Sequence, residues 1–121
     1  MISQKISALL TANSSINDAV ANNHYLGEAP QETPRPYIVY KFENATPIKT
    51  FSGVSNLNAE TWSVRITGED LVAMDAIRVD VIAAFTAERA AFTASFDDIN
   101  IEQDNEADLE YITLYFKIHY Y

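Results

Sequence analysis

The stretch of sequence that decides the fold is residues 59–88, which read AETWSVRITGEDLVAMDAIRVDVIAAFTAE. Its first part, residues 59–67, alternates between two sets of side chains, which is the period of a β-strand with one buried face. The bulkier set is predicted to point inward. Its members are Glu60, Trp62, Val64 and Ile66, and the opposite set is Ala59, Thr61, Ser63, Arg65 and Thr67.

An amphipathic helix is predicted to follow this strand at once. Thr67 is placed to cap the helix, and the acidic residues just after it complement the helix dipole. The helix is expected to continue to about Glu88. Its apolar stripe, at helical spacing, consists of Met74, Ile77, Val81 and Phe85. Because the helix begins where the strand ends, we expect it to pack across the sheet.

Two further elements are predicted on the N-terminal side. Residues 2–12 show the apolar spacing of a short helix, and Ser15 is placed to cap another short turn. Residues 37–42 are mostly β-branched or aromatic and predict a strand that begins just after a proline.

The C-terminal part predicts two more strands. Alternation over residues 92–101 is interrupted at 97–98, and it resumes over residues 111–121 after the polar run 103–108, which is predicted to be a hairpin connection. Together the elements predict an α+β fold with an antiparallel or mixed sheet of about four to five strands. One long amphipathic helix packs on this sheet, and a short N-terminal helix completes a single domain over residues 1–121.

The composition limits the classes of function. Hydrophobic residues make up 48% of the chain and cysteine is absent, so a packed core is expected, without disulfides or thiolate chemistry. No stretch approaches the ~20 consecutive apolar residues of a membrane-spanning helix. The formal net charge of −9 argues against gripping nucleic acid or anionic lipid. It leaves two interpretations open, namely solubility and a surface that DNA passes without sticking.

A search for chemistry finds no convincing site. The two histidines, His24 and His119, lie in unrelated contexts, and there is no Gly-x-Ser-x-Gly elbow or glycine-rich phosphate loop. The acidic stretch 97–110 lacks the central glycine and the terminal glutamate spacing of a calcium-binding EF-hand loop. The sequence therefore predicts no catalytic residue, no cofactor and no metal.

An irregular segment, residues 43–57, is a first candidate for a contact surface. It contains the turn signals Thr46-Pro47 and Ser52-Gly53. A solvated loop does not normally carry several large apolar groups, so the segment either folds back onto its own core or covers a neighbouring molecule. Its apolar residues are Ile48, Phe51, Val54 and Leu57.

The last predicted strand is a second candidate. Its even-numbered face, from Ile112 to Tyr120, is predicted to be core. Its other face still carries Tyr111, Tyr115 and Tyr121. Tyrosine is enriched at protein interfaces because it buries a ring while its hydroxyl stays wet. It is also a good strand former on an exposed face, and both interpretations stay open.

Several segments resemble the tail-completion or tail-terminator proteins of long-tailed bacteriophages, which join head and tail. The residues that carry the resemblance are Ala29-Pro30-Gln31, Pro36-Tyr37-Ile38-Val39-Tyr40, Ser52-Gly53, the strand from Glu60 to Ile66 and the helix from Leu71. Where that family often has a basic and an apolar residue before the proline-rich segment, this chain has His24-Tyr25.

The resemblance implies a non-enzymatic structural protein of the virion, made in the cytoplasm of a bacterial host. It implies a ring, commonly a hexamer, at the head-proximal end of the tail. Such a ring ends tail-tube polymerisation and joins the tail to the head connector, so its partners are its own copies, the tail-tube protein and the connector, while DNA passes without specific binding. Two alternatives are an acidic inhibitor or immunity-like protein that binds a basic partner, and a small-molecule enzyme with a pocket holding His24 or an acid.

Overall fold

The computed structural model describes the backbone of residues 2–50 and 53–120, and the side chains of residues 2–45 and 59–120. Its three helices and five strands confirm the predicted α+β class. In chain order they are α1 (Ile2–Ala12), α2 (Ser14–Ala19), β1 (His24–Leu26), β2 (Tyr37–Thr50), β3 (Gly53–Gly68), α3 (Leu71–Ala87), β4 (Thr93–Asp104) and β5 (Leu109–Tyr120).

The strands form one mixed sheet in the order β1-β2-β3-β5-β4. The short strand β1 pairs in parallel with β2, and the other pairs are antiparallel. The sequence did not predict β1, because a three-residue strand is shorter than any periodic pattern that could indicate it. The predicted hairpin between the last two strands is confirmed, since β4 ends at Asp104 and β5 begins at Leu109.

The helices cover one side of the sheet, which we call the core face. Its side chains pack against α1 and α3, and the rings of Phe85 and Phe116 stack with their centroids 4.5 Å apart. Residues at alternate positions point the other way and form what we call the open face. The core is contiguous, and its largest fully buried members include Ile6, Leu10, Ile38, Ile66, Met74, Phe85, Ile112, Leu114, Phe116 and Ile118.

A β-bulge in β4 decides which of its residues reach each face. Phe96 pairs with Phe116 on the core face, but the register then shifts so that Asp98 pairs with Tyr115 on the open face. The sequence predicted an irregularity at Asp97-Asp98, and it is confirmed. Because of this extra residue, the even-numbered Asp98 and Glu102 lie on the same face as the odd-numbered tyrosines of β5.

Two predicted helix caps were wrong by a few residues. The strand β3 extends through Thr67 to Gly68, so Thr67 is a buried strand residue, and Asp70 is the residue that caps α3. Its carboxylate accepts a hydrogen bond from the backbone N–H of Val72 at 3.0 Å. In the same way Asn13, and not Ser15, caps α2. In both cases the cap is the extended residue just before the first helical turn.

The irregular loop predicted over residues 43–57 is also corrected by the structure. Both strands continue through it, with Lys49 pairing with Val54 and Thr50 with Gly53. The turn signal at Pro47 falls between two register shifts in β2, where a strand tolerates proline. Strand β5 last pairs with this hairpin where Tyr120 meets Asn58.

We call residues 46–57 the arm, because within the described backbone only β2 and β3 pair there. The side chains of Ile48, Val54 and Leu57 lie outside the described residues, and Phe51 lies outside them entirely.

Candidate assembly surfaces

Neither histidine lies in a reactive arrangement. His24 is half-buried in β1, where its Nε2 lies 3.3 Å from Thr11 Oγ1, and burial lowers its pKa. His119 lies in β5 opposite Ala59, on the open face.

Within residues 2–50 and 53–120, no three His, Asp or Glu side chains come together in a way that could hold a metal ion. Across the same residues, no helix is long and apolar enough to cross a membrane.

The open face brings two of the predicted interface residues together. Tyr111 and Tyr115 are both half-buried there, and the guanidinium carbon of Arg65 lies 5.4 Å from the centre of the Tyr111 ring. The Nε of Arg65 donates a hydrogen bond to Thr113 Oγ1 at 3.2 Å. Between these larger groups, Ser63 and Thr113 are each only 5% exposed. The face is therefore an ordered surface, with a cation held against an aromatic ring.

A small hollow lies in the middle of this face. The register shift between Phe42 and Asn44 places Glu43 beside it, and Glu43 Oε1 accepts a hydrogen bond from Ser63 Oγ at 2.7 Å. Lys41 and Arg65 also line the hollow, whose volume is about 140 Å³. Because it is small and polar, it resembles part of a contact surface more than a pocket for a small molecule.

Charge is distributed unevenly over the open face. The cations lie on β2, β3 and β5, where Lys41, Arg65 and Lys117 are all exposed. The carboxylates of Asp98 and Glu102 lie on β4 at the edge of the sheet. A chain with a formal net charge of −9 thus has one face with a cationic side and an acidic edge.

An apolar groove of about 440 Å³ lies at the base of the arm, where the sequence did not predict a surface. Leu26 is 53% exposed and Phe42 is 46% exposed. The Phe42 ring meets Trp62 edge to face, with centroids 5.8 Å apart. The groove is lined by Ile2, Ser3, Leu26, Phe42, Glu60, Trp62 and Tyr120.

One carboxylate is held inside this apolar groove. Trp62 Nε1 donates a hydrogen bond to Glu60 Oε1 at 2.9 Å, and the Tyr120 hydroxyl donates to Glu60 Oε2. The hydrogen bond to Glu60 raises the pKa of Tyr120. A signal for this arrangement was present in the sequence, because Glu60 shares its strand face with Trp62, Val64 and Ile66.

The apolar side of β4 is a further exposed surface. Phe96, Ile99 and Ile101 lie on the core face, yet they are 39%, 37% and 53% exposed. The sequence predicted that Ile99 and Ile101 extend the strand of Phe96 beyond the irregularity, and the structure confirms this. Helix α3 contacts β4, and Ala94 is buried in the core, but the helices do not cover the strand from Phe96 onward.

The remaining predicted interface residues are not placed by these contacts. Ile48, Phe51, Val54 and Leu57 fall in the arm, and Tyr121 is the last residue, so their side chains lie outside the described part of the chain. Tyr111 and Tyr115 are the two members of the predicted set whose surroundings the structure shows.

The described residues present several ordered surfaces with exposed apolar and charged side chains, which is typical of structural proteins that work through contacts with other molecules. The sequence agrees with that class. Residues 4–121 match the family model described as tail completion protein gp17, so the chain belongs to that family. The resemblance stated from the sequence is thereby confirmed, and the chain is a structural component of a phage-type tail, located in the virion.

Comparison with solved structures shows the same fold in a virion. A chain from the virion of a native gene transfer agent particle superposes with a TM-score of 0.78 at 16% sequence identity, covering 94% of this chain and 90% of that chain. A structure from Akkermansia muciniphila solved without its transmembrane region matches with a TM-score of 0.38 at 8% identity, over 67% of this chain and 44% of that one, and carries no argument. Among curated proteins, no sequence matches this chain significantly.

Proposed function

We propose that the chain forms a ring at the head-proximal end of the tail, where it ends tail-tube polymerisation and joins the tail to the head connector. The observation that carries the proposal is the match of residues 4–121 to the tail completion family. The absence of a reactive cleft among the described residues agrees with a role in assembly, and we propose no catalytic activity.

A ring makes a specific demand on its subunits. Each subunit must carry two different and complementary patches, because a head-to-tail contact closes only when the rotation between neighbours closes. We propose the arm, with Ile48, Phe51, Val54 and Leu57 in its sequence, and the tyrosine-bearing open face as candidates for such patches. We propose a hexamer, and we propose that DNA passes through its lumen without specific binding, in accord with the net charge of −9.

The experiment mixes the purified chain with the tail-tube protein of the same virion during tube polymerisation. Electron microscopy is expected to show shorter tubes with a ring at one end, and native mass spectrometry is expected to show closed oligomers. Unchanged tube lengths, together with a monomeric chain at high concentration, would contradict the proposal.

Two controls separate the alternatives. An inhibitor or immunity-like protein would form a 1:1 complex with a basic partner and would not cap tubes, and its association rate would fall steeply with salt. An enzyme would lose its activity when His24 and His119 are both replaced, whereas tube capping by the double variant is expected to persist.

A further inference from the structure

The charge gradient of the open face follows the hydrogen-bonded register of the sheet. Lys41 pairs with Ser63, Ser63 with Tyr115, and Tyr115 with Asp98, so four residues form one row across β2, β3, β5 and β4. A cation stands at one end of this row and a carboxylate at the other. Three strand spacings separate them, or roughly 14 Å, which is too far for direct pairing within one chain.

The cations of this face have no carboxylate partner in the described structure. The two ion pairs among the described residues, Arg35 with Glu69 and Arg78 with Asp75, involve none of them. The guanidinium of Arg65 is held in place by Thr113 and Tyr111, yet most of its donors stay unused. The carboxylate of Glu43 also lines the hollow, where it accepts a hydrogen bond from Ser63. The lining of the hollow therefore holds two cations, Lys41 and Arg65, and one carboxylate.

The acidic side extends beyond the open face. Residues 97–110 contain no lysine or arginine, and their acids are Asp97, Asp98, Glu102, Asp104, Glu106, Asp108 and Glu110. This segment forms the edge strand β4 and its turn into β5. Charged side chains along an edge strand oppose continuation of the sheet by another strand. The edge therefore offers its carboxylates, and not its backbone, to a neighbour.

We infer that the cationic side of the open face, at Lys41, Arg65 and Lys117 around Tyr115, binds the acidic β4 edge of a second copy of this chain. Each copy carries both halves of the contact, the cations toward β2 and the carboxylates at the β4 edge of the same sheet. Copies arranged head to tail can therefore each offer one half and receive the other, and such a contact can close into a ring. The half-buried rings of Tyr111 and Tyr115 supply apolar contact area at its centre. The inference rests on the ring proposed above and names the surface that forms it.

A second copy fits this surface better than a chance acidic partner does. Two chains of charge −9 repel at long range, but this repulsion is screened beyond about 8 Å at physiological salt. At contact, the local pairing of cations with carboxylates decides both register and partner.

The test uses charge reversal in matched pairs. One variant carries Lys41→Glu with Lys117→Glu, and the other carries Asp98→Lys with Glu102→Lys. Each places like charges across the contact, so we expect its self-association constant to fall at least about tenfold. Mixing the two variants restores the contact only between unlike chains, so native mass spectrometry should show alternating oligomers with even subunit numbers.

A chain with all four substitutions is the sharpest control. Its formal net charge equals that of the unchanged chain, and its contact is rebuilt with reversed signs, so self-association should return. Two control variants make the same changes in net charge on the helical side of the sheet. Lys5→Glu with Arg89→Glu matches the first variant, and Asp18→Lys with Asp80→Lys matches the second. These controls should assemble like the unchanged chain. Thermal unfolding of every variant verifies that it is folded.

The absence of cysteine allows a second test. A chain with Lys41→Cys and Asp98→Cys cannot close a disulfide on itself across this row, because disulfides need Cα atoms within about 7 Å. Oxidation should instead give a ladder of linked oligomers that ends in a closed species. A mixture of the two single-cysteine variants should stop at dimers.

The outcomes separate this inference from the proposed function. If the unchanged chain forms rings while both charge-reversed variants also form them, the inference is wrong and the ring stands on another surface. If the two charge-reversed variants do not self-associate and the folded fourfold variant does not self-associate either, direct pairing of these charges is contradicted. If rings form equally but tube binding is lost, the open face belongs to the tube contact instead. If the unchanged chain neither self-associates nor caps tubes, the proposed function fails as well.

Discussion

Replacing Trp62 with alanine tests how the sheet packs at the base of the arm. Trp62 is 5% exposed, its ring contacts Phe42, and its Nε1 donates to the Glu60 carboxylate. Truncating a buried tryptophan to alanine costs about 3–5 kcal/mol in unfolding free energy. Since Glu60 keeps its bond from Tyr120, we expect the lower half of that range.

A second substitution separates packing from hydrogen bonding. Trp62→Phe keeps an aromatic ring but removes the donor to Glu60, so we expect a loss of about 1–2 kcal/mol. The assay is urea unfolding followed by far-ultraviolet circular dichroism, because Trp62 is the chain's single tryptophan and its fluorescence is lost in both variants. The slope of free energy against urea should stay unchanged. A loss below about 1 kcal/mol for Trp62→Ala would refute the assigned strand register, because a buried ring cannot be removed so cheaply.

Three further predictions address the pH response, the helix cap and the open face. The hydrogen bond to Glu60 raises the pKa of Tyr120, so the stability it contributes is complete below the ordinary tyrosine pKa near 10 and is lost as pH rises through the raised value. Alkaline titration at 295 nm should contain a late component that Tyr120→Phe removes, and an identical titration curve for that variant would contradict the bond. Asp70→Ala should lower the unfolding free energy by about 1 kcal/mol in urea titrations while Asp70→Asn stays near neutral, because both Asp and Asn accept from the Val72 N–H; an equal loss in both would contradict the cap. Tyr115→Glu should leave the thermal unfolding midpoint within a few degrees, because Tyr115 is only half-buried on the open face. The variant should nevertheless fail to self-associate in light scattering, because the new carboxylate lies beside that of Asp98 on the contact surface. Loss of folding would show that this face is internal core.

The central part of the fold was predictable because its periodicity is strong. Residues 59–67 alternate at the strand period, and the stripe from Met74 to Phe85 has helical spacing. The structure buries Val64, Ile66 and that stripe as expected. The cap was misplaced because Thr67 and Asp70 are both good capping residues, and only the strand pairing that reaches Gly68 decides between them.

The arm and β1 show where local patterns fail. Pro47 is a turn signal, and in isolation it indicates a loop. The Ser52-Gly53 signal, in contrast, falls where β2 has ended at Thr50 and β3 begins at Gly53. Register shifts in β2 absorb the irregularity and the pairing continues. Strand β1 exists because His24–Leu26 lies beside β2, a contact between segments that are distant in sequence. Neither feature has a local signal strong enough to predict it.

The surfaces were predictable only in part, for a related reason. Alternation in the last strand placed Tyr111 and Tyr115 on one face correctly. The position of Arg65 against Tyr111, and the row that joins Lys41 to Asp98, depend on register across four strands and on a bulge. A single sequence fixes the face of each residue within its strand, but it does not give its neighbours on the next strand.

The distribution of charge gives the acidity of the chain a more specific meaning. Solubility requires net charge anywhere on the surface, and passage of DNA requires carboxylates that face a lumen. A contact between copies requires the carboxylates of the β4 edge to face a neighbouring subunit. Carboxylates paired with Lys41, Arg65 and Lys117 of the next subunit cannot also repel DNA in the lumen, so the two roles must belong to different acids. If the β4 edge lies between subunits, ring stability should fall with salt and the lumen must be lined by other acidic residues of the chain.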